Sequence, residues 1–178
     1  MKTASTPAVR PLRITRRFPA AAARVFDAWL EPSLAGRWLF ATAGRPMTRV
    51  EIDARERGNF RFAERRDDGL VVHAGRYIEI ERPRRLVFTL AQDTGAHAVT
   101  RVTVDVAPLA SGCRLVVTHD GVPRERAVDM TGRWAGMLYG LGALLGADGV
   151  NPRRRAEEPK RGQRVPTLGN GGTSCNTF

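Results

Sequence analysis

The stretch Pro123–Asp148, PRERAVDMTGRWAGMLYGLGALLGAD, decides the fold. Counted from Met130, the apolar side chains Met130, Trp134, Met137, Leu138, Leu141, Leu144 and Leu145 recur at the three-and-four spacing of a helix with one buried stripe. Pro123 suits the first turn, where a missing N–H is no loss, and Gly146 to Pro152 supplies the stop signals. The uninterrupted apolar part is shorter than the roughly 18 residues of a membrane span and is rich in glycine, so the stripe calls for a sheet rather than lipid. Roughly opposite it on the helical wheel fall Gly132, Gly136 and Gly140, with Tyr139 and Ala143 beside them, where a solvent-facing surface normally carries charge. Two readings fit this smooth face: drift in a helix held by packing alone, or a surface that admits a second copy of the chain, giving a homodimer.

Upstream, the pattern predicts the sheet. Leu12, Ile14, Arg16 and Phe18 alternate with Arg13, Thr15 and Arg17 as in a strand, and Pro19 ends it. Ala20–Leu30 predicts a short helix that Pro32 breaks, and Ser33–Phe40 a second helical piece that Ser33 caps. From Met47 the signal turns to strands: Val50 and Ile52, then Phe60 and Phe62 after Gly58. The Asp67-Asp68-Gly69 hairpin leads into Leu70–Ile80. Leu86–Leu90, Val102–Val106 and Leu115–His119 complete the series. Helices, many closely spaced strands and a long final helix make an α+β protein, an antiparallel sheet curled against that helix.

Composition sets bounds. At 178 residues with 42% hydrophobic side chains, one domain can close its own core. The net charge of +11 is almost wholly arginine, Lys2 and Lys160 being the lysines. The arginines are scattered over strands and turns with no nucleic-acid motif to organise them, so they read as a solvated surface. Cys113 and Cys175 have neither metal nor disulfide spacing, and His73, His97 and His119 are too far apart to form a metal-ligand motif. No phosphate loop or nucleophile elbow is present, so neither a metal nor a cofactor is expected. The N-terminus lacks the apolar run of an export signal, which favours the cytoplasm. Residues 1–10 read as a flexible lead, 11–148 as the domain, and 149–178 as a disordered basic tail containing Arg153-Arg154-Arg155.

Element order and particular residues together resemble the helix-grip superfamily, also called START-like or SRPBCC. Within it they resemble the domain shared with activators of the 90-kilodalton heat-shock chaperone ATPase. The pieces are Leu12-x-Ile14-x-Arg16-x-Phe18, Val25-Phe26-x-Ala28-Trp29, Pro32, Trp38, Asp53-x-Arg55 before Gly58, and Gly69. They continue as Gly75-x-Tyr77-x-Glu79-Ile80, Leu86-Val87-Phe88-Thr89, Val102-Thr103-Val104, His119 and Gly132-x-Trp134. The resemblance covers about residues 12 to 147 and implies a cavity between sheet and long helix. Gly58-Asn59 stands where such domains often have Gly-Gly, and no second tryptophan follows Trp38.

Three functions are compatible with this pattern. The first is binding of a small hydrophobic or aromatic ligand without covalent chemistry, with Trp38, Phe60, Phe62, Tyr77, Phe88, His119, Trp134, Leu138 and Leu141 as its walls. The second is an enzyme of the polyketide cyclase or aromatase kind. There His119, in phase with Leu115 and Val117, or His73, in phase with Val71 and Tyr77, would be the base and Tyr77 a donor. The third is a partner of the chaperone, acting through the outer surface.

Overall fold

Alternating side chains, joined through tight turns, leave the strands little choice but antiparallel pairing. A computed structural model of the chain describes residues 10–41, 47–67, 69–92 and 99–149. The strands are β1 (Leu12–Phe18), β2 (Met47–Ile52), β3 (Asn59–Arg66), β4 (Gly69–Glu81), β5 (Arg85–Gln92), β6 (Thr100–Pro108) and β7 (Cys113–Asp120). They form one seven-stranded sheet in the order β1-β7-β6-β5-β4-β3-β2, so the first strand pairs with the last and the chain crosses to the far edge through two short helices. These are α1 (Ala22–Asp27) and α2 (Pro32–Ala35). The long helix α3 spans Ala127–Gly149 and follows a 3-10 turn at Arg124–Arg126. The chain is thus α+β with the helix-grip arrangement.

Register fixes which side chains meet. The pairs Phe88↔Val102, Val102↔His119 and Leu12↔His119 run across the inner face, together with Leu86↔Val104 and Val104↔Val117. Onto this face α3 lays Trp134, Leu138, Leu141, Leu144 and Leu145, each no more than 6% exposed. Burying a side chain of this size is worth about 1.5–3 kcal/mol, so the stripe holds the helix where its many glycines, weak helix formers, could not. Trp29 and Trp38 meet edge to face at 4.7 Å, and Trp29 also meets Trp134 at 6.1 Å, tying α1 and the segment after α2 to the long helix. Two glycines are required by space: a Cβ on Gly75 would stand 1.9 Å from the Thr89 carbonyl oxygen, and one on Gly58 2.1 Å from that of Asp53. Gly69, at φ 135°, opens the hairpin opposite Arg66.

Several local expectations are corrected. The first helix stops at Asp27, and residues 28–30 form a turn. Pro32 starts α2 instead of breaking a helix, because a proline at the first helical position gives up no hydrogen bond. Ser33 does not cap: Glu31 holds the cap position, and the Ser33 hydroxyl donates to Glu31 Oε1 at 2.8 Å. The three helix glycines do not share one open face. A Cβ on Gly140 would touch that of Trp38 at 3.7 Å, whereas Gly132 and Gly136 have nothing within 4 Å. The expected lead up to residue 9, Asp68, His97 and the tail from residue 150, with Arg153-Arg154-Arg155 and Cys175, lie outside the described residues.

Candidate functional site

Where the sheet and the N-terminal half of α3 part, they leave a cavity of about 620 Å3. Leu90, Thr100 and His119 line it from β5, β6 and β7, and Arg66 and His73 from β3 and β4. Met130, Trp134 and Met137 come from α3, while Phe40 and the Gly121–Pro123 turn close the sides. Phe40 adopts φ 59°, a left-handed conformation rare for an aromatic residue. That conformation has two visible partners. The Phe40 N–H donates to the Met137 sulfur at 3.2 Å, and its ring stacks on His73 with centroids 4.4 Å and planes 8° apart.

His119 is 1% exposed and fully engaged. The Trp134 indole N–H donates to its Nδ1 at 3.1 Å, and its Nε2 lies 2.8 Å from the Thr100 hydroxyl. An indole can only donate, so Nδ1 is the acceptor and Nε2 carries the proton. The Thr100 hydroxyl accepts a hydrogen bond from it and donates its own to the Leu90 carbonyl at 3.0 Å. Burial pushes the His119 pKa down to about 4, with nearby Asp120 opposing. The result is a neutral imidazole that latches α3 to three strands, with no nitrogen left for a proton transfer.

His73 differs. It is 7% exposed, and its buried Nε2 has no partner among the described residues. Burial first, then the Arg66 and Arg133 charges, push its pKa down to about 4, while Glu64 opposes them. Glu64 is fully buried on the same inner face. Its Oε2 accepts from Nε and Nη2 of Arg66 at 3.0 and 2.9 Å, and its Oε1 has no partner among the described residues. Removing Arg66 would strand a buried charge.

Of the residues expected in the site, the cavity brings together His73, His119 and Trp134. The others are core. Phe60, Phe62, Tyr77 and Phe88 border only a void of about 10 Å3, and they pack on one another with ring centroids 5.3–6.3 Å apart. Trp38 donates its indole N–H to the Ala28 carbonyl at 3.0 Å. Leu138 and Leu141, 1% and 0% exposed, are filled in beneath the helix. Burial raises the Tyr77 pKa well above its ordinary value, and Tyr77 does not reach the cavity. Sequence reasoning missed Phe40, Arg66, Thr100, Arg126 and Arg133 as lining residues. Only Arg66 carried a signal, since the alternation of Phe60 and Phe62 continues through Glu64 to it. Among the described residues no cluster of His, Cys, Asp or Glu could hold a metal ion, and no helix is long and apolar enough to cross a membrane.

A family model described as activator of Hsp90 ATPase homolog 1-like protein matches residues 19–146. Among solved structures, a Chromobacterium violaceum protein is 26% identical, with a TM-score of 0.70, covering 76% of this chain and 96% of its own. A Rhodobacter sphaeroides protein is also 26% identical, with a TM-score of 0.67 over 80% of this chain and 97% of its own. An AHSA1-like protein from Aeromonas hydrophila is 22% identical, with a TM-score of 0.67 over 79% and 95%, a likeness that speaks for the fold alone. No protein of curated function matches in sequence.

Proposed function

Since the chain belongs to the family of activator of Hsp90 ATPase homolog 1-like proteins, we propose that it holds a small apolar or aromatic molecule between sheet and long helix, without covalent chemistry. The observation that carries this reading is the cavity itself. Its volume of about 620 Å3 falls within the roughly 300–1,000 Å3 of small-molecule sites, and Phe40, Leu90, Val122, Met130, Trp134 and Met137 give it apolar walls.

The cyclase or aromatase alternative needs a base in the cavity. His119 has both nitrogens committed, and His73, with a pKa of about 4, is a weak base at neutral pH. Among the described residues the lining includes no Ser, Cys, Tyr or carboxylate. Action on a chaperone ATPase, the activity in the family's name, would use the outer surface, and no feature of the cavity argues for it.

Titration with the uncharged fluorophore N-phenyl-1-naphthylamine tests the proposal. Saturable binding is expected in the wild type and strong weakening in Gly136→Trp, which puts an indole at the cavity rim while leaving the fold intact. Absence of saturable binding to the folded wild type would end the proposal.

A further inference from the structure

Among the described residues, the charged side chains that line the cavity are all arginines, although Glu64 and Asp129 pair with two of them from outside the lining. The lining holds Arg66, Arg126 and Arg133, two neutral histidines and, among the described residues, no carboxylate. Nor are the guanidinium groups used up by the fold. Arg126 makes no side-chain hydrogen bond or ion pair with any described residue, and Arg133 gives only its Nε to Asp129, at 3.0 Å. Arg66 spends Nε and Nη2 on a single oxygen of Glu64. A guanidinium offers five N–H donors, so all three keep donors free for something else. A fourth polar group joins them. His73 also lines the cavity, and its buried Nε2 has no partner among the described residues, whereas buried polar atoms in folded proteins are nearly always hydrogen-bonded.

We propose that the ligand is an amphipathic anion: an apolar or aromatic body seated against Phe40, Leu90, Met130, Trp134 and Met137, with a carboxylate-class group held by Arg126, Arg133 and Arg66 and hydrogen-bonded by His73. The inference rests on the binding reading above and narrows it from any apolar molecule to an acid. Arginine is suited to this task, because its planar fork binds carboxylate or sulfonate oxygens in pairs and keeps its charge at every accessible pH. Near a low-dielectric wall such pairs are stronger than on an open surface, and the +11 net charge would draw an anion toward the mouth.

Two fluorophores differing by one sulfonate separate the possibilities: N-phenyl-1-naphthylamine and 8-anilinonaphthalene-1-sulfonate, the sulfonate standing in for a carboxylate. The anionic probe is expected to bind about tenfold tighter or better. Arg126→Gln and Arg133→Gln should each weaken the anionic probe severalfold and leave the uncharged one within about twofold. Raising ionic strength from about 0.05 to about 0.5 M should weaken only the anion. Arg101→Gln, on an exposed strand position outside the cavity, should change neither, and Gly136→Trp should weaken both. Equal affinity for the two probes, or an anionic probe indifferent to both cavity arginines, would overturn the inference and leave the binding reading standing. Failure of both probes on the folded wild type would overturn both.

Discussion

Acidification should remove stability through two buried histidines, and the amount can be worked out. His119 and His73 each have a pKa lowered from 6.5 to about 4, chiefly by burial; Asp120 opposes for the first, and Arg66 and Arg133 assist against Glu64 for the second. In the unfolded chain both return toward 6.5, so the unfolded state takes up protons first as pH falls. The folded state's advantage is therefore complete above about pH 6.5 and is lost as pH drops toward about 4, where the folded protein binds the protons too. At about 1.4 kcal/mol per pH unit, the interval from 6.5 to about 4 corresponds to about 3 kcal/mol for each histidine. Against a typical total of about 5–15 kcal/mol, that is a large fraction. The test is urea unfolding of the wild type and His119→Gln between about pH 7 and about pH 4. A glutamine amide can accept from Trp134 and donate to Thr100, as His119 does, but it does not titrate. Carboxylate protonation affects both proteins alike and cancels in the difference. The wild type should lose about 3 kcal/mol more than the variant. A difference under about 1 kcal/mol, or an His119 imidazole titrating near 6.5 in the folded protein by NMR, would refute the reasoning.

Trp134→Phe should cost about 2–4 kcal/mol, since it orphans His119 Nδ1 and shrinks a fully buried ring; calorimetry would show it, and NMR should show the His119 pKa rising once no donor holds Nδ1 unprotonated. Gly75→Ala should destabilise by about 3 kcal/mol or fail to fold, because its Cβ would stand 1.9 Å from the Thr89 oxygen and 2.5 Å from the Phe60 ring; an alanine variant with the wild-type melting temperature would contradict the strand geometry. Gly132→Ala, with open space around the new methyl, should instead stabilise by about 0.5–1 kcal/mol in the same urea assay. Gly132 and Gly136 line the cavity, so a second copy seated on them would meet its rim; if one does, sedimentation will show a dimer that Gly136→Arg splits, whereas a monomer at both low and high micromolar concentration would dismiss self-association.

Periodicity made the fold legible. Strand alternation at Leu12–Phe18 and Val102–Val106 gave those side chains the faces they have, and the α3 stripe from Trp134 to Leu145 is buried as its spacing required. What failed was local. Ser33 follows a proline and looks like a cap, yet Pro32 itself enters the first turn and moves the cap back to Glu31. The spacing within α3 alone puts Gly140 on an open face, but Trp38, more than a hundred residues earlier in the chain, packs there. No pattern within one element can report a neighbour that distant.

The site was less legible for a related reason. Large aromatics at inward positions suggest cavity walls, but size works against that: rings such as Phe60, Tyr77 and Phe88 fill the space they enter, and a cavity survives where smaller, flexible or charged side chains leave it. The phase of His119 with Leu115 and Val117 points it inward, but its role depends on Trp134 and Thr100, 15 and 19 residues away in the chain, which engage both of its nitrogens. The informative signal lay elsewhere, in Phe60-x-Phe62-x-Glu64-x-Arg66, where an inward apolar run ends in a carboxylate and a guanidinium. A charge on the buried face of a strand breaks the pattern that specifies the fold, and such breaks are expected where function or strain outweighs packing. Here the break falls at the end of β3 that carries Arg66 into the cavity, so charged residues on inward strand positions mark the cavity more directly than aromatic ones do.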